Sequence, residues 1–194
     1  MMRKLFLITI IAGLILGFTA LPSSALTDNA EKFLQSCLAL DAPFPPTNWD
    51  KYDLRDAAIE ILDEIESGNF EKWPVDFCLK TLGYTQFPED IDRILPYEKK
   101  MTSTVLRSLK GFPSIKAIEC HFRWIDNEIA PTRELAIQGL ADIDFKKLEN
   151  GKIWHSKVIG EIQKAKSKEK IDWLQDVIDK SLDKVESYTF PKTE

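Results

Sequence analysis

The chain has 194 residues, 26 basic against 31 acidic, for a formal net charge of −5. A balance on the acidic side gives it no electrostatic claim on nucleic acid or on an anionic membrane surface. With 44% hydrophobic residues it can bury a core of ordinary size, and three cysteines are too few to build a disulfide scaffold.

Arg3 and Lys4 precede an almost unbroken apolar run from Leu5 to Phe18, and Pro22-Ser23-Ser24-Ala25 closes it with a helix breaker and small residues. That tripartite pattern reads as a secretory signal, residues 1–25, cleaved before Leu26. The run is shorter than the roughly 20 apolar residues needed to cross a bilayer. Residues 26–194 are then a single exported domain, secreted or periplasmic, with 24 basic and 31 acidic side chains. Cys37, Cys78 and Cys120 remain, an odd number that allows at most one bridge. Each also stands where a small buried residue suits a helix, and no pair is singled out.

Helix signals dominate the rest. Asp28 with Glu31 reads as a capping box for a helix over 29–40. Residues 41–49 hold Pro43, Pro45 and Pro46 and read as an extended connector. Over 50–66, Leu54, Ala58, Ile61, Leu62 and Ile65 form one stripe opposite Asp56, Glu60, Asp63 and Glu64, with Gly68 as the cap. Shorter pieces follow. Pro74 opens one that Gly83 ends, Pro88 another that stops near Pro96, and Thr102 a third that Gly111 closes. Pro113-Ser114 starts a helix through Glu128, and Pro131-Thr132 starts the next. The pattern then predicts a helix over 152–165, a lysine-rich break, and an amphipathic helix over 168–187. Ile171, Leu174, Val177, Ile178, Leu182 and Val185 share the face of that last helix. The fold class is all-α.

Arg55 and Arg133 each begin the same pattern: Arg, two residues, Ala, three residues, Leu, two residues, Ile. It runs through Ala58, Leu62 and Ile65 in one copy and through Ala136, Leu140 and Ile143 in the other. Weaker copies place Cys78 and Leu82, and Val105, Leu109 and Phe112, at the corresponding positions. A small residue lets helices approach, and Leu and Ile on the same stripe fill the seam. The pattern resembles the first helix of HEAT-like repeats, especially the short units of the phycobilisome-lyase kind. The resemblance covers about residues 50–165 and implies helix pairs stacked as a small α-solenoid that serves as a binding scaffold. The copies depart from a regular period, lying 20, 27 and 31 residues apart, and two lack the Arg. An irregular helical bundle is the alternative.

Catalytic chemistry finds little footing. His121 and His155 are the only histidines and neither has metal-ligand spacing. Cys120 beside His121 points about 100° away from it on a helix, so the two do not form a nucleophile–base pair. No glycine-rich phosphate loop or G-x-S-x-G elbow is present. The sequence therefore predicts no catalytic residues, no metal and no cofactor. It predicts a non-catalytic protein that engages a protein partner, in the sharper form an inhibitor or immunity-type protein covering a toxin's active site. A small exported hydrolase using paired carboxylates, and a carrier of lipid or small ligands, are the rivals. On the helix over 114–128, Ile115, Ile118, Phe122 and Ile125 read as core. His121, Arg123 and Trp124 beside them read as a partner-binding patch, which Trp154 and His155 extend along a concave wall.

Overall fold

The structure is a computed structural model that describes residues 26–39 and 49–190. The predicted signal and the proline connector lie outside the described residues, apart from Trp49 at the connector's end. Among the described residues the fold is all-α, with no strands. Its helices are α1 (Asp28–Leu38), α2 (Lys51–Glu66), α3 (Val75–Thr85), α4 (Ile91–Ile94), α5 (Thr102–Ser108), α6 (Ile115–Trp124), α7 (Ala130–Ala141), α8 (Gly151–Lys168) and α9 (Asp172–Glu186). Short 3₁₀ turns flank α4 and precede α8. No described helix is long and apolar enough to cross a membrane.

The helix ends follow local chemistry. Thr27, rather than Asp28, caps α1: its hydroxyl accepts the Ala30 amide while its own amide and hydroxyl both donate to Glu60 of α2. Asp50 caps α2 by accepting the Tyr52 amide at 2.8 Å. At the other end Gly68 takes φ +78°. The Gly68 and Asn69 amides return to the Ile65 and Glu64 carbonyls, the paired bonds of a Schellman motif.

Three predicted boundaries move. Gly83 does not end its helix; α3 continues to Thr85 and stops at Gln86, in the left-handed region with φ 57°. Gly83 is there because a Cβ would lie 2.1 Å from the Ser108 carbonyl oxygen, so it marks the crossing of α3 and α5. The helix begun at Ser114 ends at Trp124, short of Glu128. The lysine-rich break is helical: α8 runs through Lys164, Lys166 and Lys168, since lysine is a good helix former, and stops at Glu169.

Packing proceeds in series. α1 lies on α2, α2 on α3, α3 on α5, α5 on α7 and α7 on α9, while α6 packs on α7 and α8 on α9. The four copies of the Ala-Leu pattern fall on α2, α3, α5 and α7, successive members of that series. Ala58, Cys78, Val105 and Ala136 are all fully buried. The irregular spacing has a physical reason: nothing helical intervenes between α2 and α3, the four-residue α4 comes before α5, and the ten-residue α6 comes before α7. Ala57 is buried as well, so the α2 stripe is wider than the periodicity indicated.

Two apolar clusters share the middle helices. One gathers α1 to α5 with Ala117, Cys120 and Ala136; the other gathers α8 and α9 with Ile118, Ile125, Ile137 and Leu140. α6 and α7 therefore bury two faces each. The three cysteines are buried free thiols.

Candidate functional site

The buried double face of α6 decides which patch residues reach the surface. His121 does not: it is fully buried. Its ring lies over Gly139 of α7, where a Cβ would come within 2.1 Å of Cε1, and its Nε2 donates to the Leu109 carbonyl at 3.2 Å. Burial pushes its pKa down to about 4, the Leu109 carbonyl only partly opposing this. With no exposed surface, His121 is removed from the predicted patch; it is a core residue. The neighbouring Cys120 thiol is pushed up to about 12 by burial, so the adjacent pair offers no nucleophile.

Arg123 and Trp124 do come together, through a residue the sequence reading missed. Glu98, in the stretch after α4, accepts Arg123 Nε at 2.9 Å and Nη2 at 2.6 Å, and the Trp124 indole N–H at 2.7 Å. The Arg123 hydrogen bond, with that of Trp124, holds the Glu98 carboxyl below its usual range. Arg123 stays half exposed while Glu98 is largely covered. The carboxylate thus fixes two long side chains in one geometry. Beside them runs an open groove of about 350 Å³, lined by Met101, Trp124, Ile129 and Thr132 among others. Ile129 stands 62% exposed on its rim.

Trp154 and His155 lie elsewhere. Trp154 packs at the margin of the C-terminal cluster and Trp124 at the margin of the N-terminal one, so the two do not join in one contact group. His155 Nε2 donates to the Val185 carbonyl at 2.7 Å, closing the end of α9. Its ring packs with Phe145, Tyr188 and Phe190 at centroid distances of 5.1 to 5.7 Å. Trp154 carries the Lys157 ammonium over its face at 4.3 Å.

The arginines of the shared pattern have a use that spacing did not show. Arg55 makes two 2.7 Å hydrogen bonds to Asp90, and Arg133 bonds Glu169 at 2.8 and 3.1 Å. The carboxylates lie 35 and 36 residues downstream. Glu169 also accepts the amides of Lys170 and Ile171, so one side chain both holds the turn before α9 and ties it to α7. A cavity of about 550 Å³ adjoins this pair, its lysines and acids already matched in part, as in Lys168 with Asp126. Among the described residues no group of three or more His, Cys, Asp or Glu could hold a metal ion. Compared with known proteins, the chain matches no family model, no curated protein and no solved structure.

Proposed function

We propose that residues 26–194 form a small HEAT-like α-solenoid that is exported and works without catalysis, by engaging a protein partner. The serial packing of α2, α3, α5 and α7 supports the solenoid reading, because each carries a copy of one seam. The export reading is supported by the sequence of residues 1–25, a basic start, an apolar run and a small-residue site before Leu26. The observation that carries the partner reading is the Glu98 clamp. Arg and Trp are the residue types that concentrate binding energy, and holding them in place removes part of the entropy cost of association. Arg123 and Trp124 beside the Ile129 groove form such a preorganised pair. The sharper form of the role is inhibition, the groove edge covering the active site of an exported toxin or enzyme.

A photoreactive residue at position 129 of the exported protein tests this. One defined protein should be cross-linked, and Arg123→Glu or Ile129→Asp should weaken its affinity about tenfold or more, the scale of a hot-spot residue. Unchanged affinity in both variants overturns the site. Mass spectrometry should find the exported chain starting at Leu26; an N-terminus at Met1 overturns the export reading.

A further inference from the structure

Between positions 146 and 170 this acidic chain carries eight lysines and three glutamates. Part of that charge is neutralised in place: Lys164, Lys166 and Lys168 meet Glu161, Asp179 and Asp126. Lys146, Lys152 and Lys157 are different. All three are exposed and none is paired with a carboxylate among the described residues. Each lies over an aromatic ring instead: Lys146 over Tyr188 at 5.4 Å, Lys152 over Phe190 at 5.9 Å and Lys157 over Trp154 at 4.3 Å. Asp144 accepts the Tyr188 hydroxyl at 2.5 Å, pairs with Lys147 at 3.9 Å and attracts Lys146 at longer range, so Lys152 and Lys157 are the two lysines farthest from compensation.

The rings beneath these ammonium groups are held firmly. Tyr188 and Phe190 pack edge-on at 5.2 Å, and both pack on His155, whose ring bonds the end of α9. On α8 the crest between Lys152 and Lys157 is Ile153, 58% exposed. At about 100° per residue Ile153 stands about 40° from Lys157 and about 100° from Lys152 on its other side, so the two lysines flank an apolar knob without touching each other. The knob continues into Ser156 and Gly160, where nothing lies within 4 Å of a Cβ. The face is cationic and apolar together, and a neighbour could approach its backbone closely.

We propose that the first half of α8 is a docking face for an acidic segment of a partner protein. Carboxylates of that segment pair with Lys146, Lys152 and Lys157, and an aliphatic side chain sits against Ile153 and Trp154. This rests on the reading of the chain as a protein-binding module and adds a second contact, of defined chemistry, to the Glu98 groove. Charge complementarity selects the occupant. A short acidic segment lies within about 8 Å of these lysines, the screening length at physiological salt, and so senses them rather than the whole chain. An extended anionic membrane faces the entire molecule, whose 31 acidic residues against 24 basic repel it. Polybasic membrane anchors also use clusters of about four to eight basic residues. Three unpaired lysines fall short.

The experiment uses the exported chain from Leu26 and a short labelled peptide of Asp and Glu around two Leu residues. A second peptide replaces Asp and Glu by Asn and Gln. The acidic peptide should bind, more weakly as salt rises, and the amide peptide should not. Lys152→Glu with Lys157→Glu should reduce that binding about tenfold or more, and Ile153→Asp should reduce it as well. Equal binding of both peptides, or binding unaffected by the lysine changes, overturns the proposal. So does co-sedimentation with phosphatidylglycerol vesicles in place of peptide binding. Arg123 and Ile129 take no part in this measurement, so its failure leaves the groove and its cross-linking test standing.

Discussion

Arg55 and Arg133 open the same pattern on two helices, yet their surroundings differ in a way that separates the two halves of the molecule. Asp90, which holds Arg55, is 1% exposed, with Glu89 as a second carboxylate at 3.1 Å and the Phe87 ring 4.8 Å from the guanidinium. Among the described residues no aromatic ring lies over Arg133. It reaches Glu169 and also donates to the Asn127 and Glu128 carbonyls, so it fastens the loop between α6 and α7 as well as the start of α9. Both arginines compensate a covered carboxylate, the Glu169 side chain being 7% exposed, and Arg133 also joins three segments. A shared sequence position has thus been used for two mechanical purposes.

Removing the arginines should break the symmetry of the pattern most visibly. Arg55→Met leaves the Asp90 carboxylate buried and unpaired, at an expected cost of about 3–5 kcal/mol. Arg133→Met leaves Glu169 with the Lys170 and Ile171 amides, so its cost should be nearer 2 kcal/mol, a charged hydrogen-bond loss. Denaturant melts measure the difference. Equal losses would mean that the two amides left to Glu169 do not offset the loss of its arginine. Hydrogen exchange supplies a second reading: Arg133→Met should speed exchange in the loop at 125–129, and Arg55→Met should not.

Acid probes the place where the halves meet. His121 has its pKa lowered by burial to about 4, against 6.5 in the unfolded chain. The folded state therefore resists protonation. Its stability is undiminished above pH 6.5, falls as the pH drops toward 4, and levels off below. At about 1.4 kcal/mol per pKa unit the loss approaches about 3 kcal/mol. The upper part of this window, above about pH 5, lies clear of the carboxylates, among which Glu98, Asp76 and Asp142 have lowered values. His121→Phe keeps a ring over Gly139 without the titration, so its stability should be nearly flat between pH 7 and about 5. A slope as steep as that of the parent would place the acid sensitivity elsewhere.

The seam itself is tested by enlarging its small residues. Ala58→Leu and Ala136→Leu should each cost about 1–3 kcal/mol by overpacking. Ala57→Leu should cost a similar amount, because Ala57 is 1% exposed rather than on the solvent side. Silence at both Ala58 and Ala136 would reduce the shared pattern to coincidence and favour an irregular bundle.

Which features could be read from the chain follows from these cases. The helices were legible from their punctuation, because Pro and Gly act locally. The same rule misplaced the end of α3: a glycine that admits a neighbouring carbonyl looks in sequence like one that ends a helix. The two stripes of α6 were both visible. That His121 itself is fully buried was not, since only the packing of α6 between two clusters decides it. Arg123 and Trp124 were found by residue type, but Glu98 was not, because it lies 25 residues from one and 26 from the other. Arg55 and Arg133 were marked by the repeat, while their carboxylate partners were too distant in sequence to pair without the fold.

Phe87 lies under the Arg55 guanidinium and tilts against Tyr52, with ring centroids 4.9 Å apart. Among the described residues no ring covers Arg133 in this way. If the ring strengthens the Arg55–Asp90 pair, Phe87→Leu should cost about 0.5–1 kcal/mol more than its lost burial accounts for, the range of a partly exposed cation–π contact. A double-mutant cycle with Arg55→Met isolates that part, since the coupling energy excludes whatever Phe87 contributes through apolar contact alone. The cycle should give about 0.5 kcal/mol or more of coupling, while Phe87→Leu combined with Arg133→Met should be additive within about 0.3 kcal/mol. A coupling of zero at Arg55 would make Phe87 a packing residue only. The contrast between the two arginines would then rest on the loop carbonyls that Arg133 holds in addition to its carboxylate.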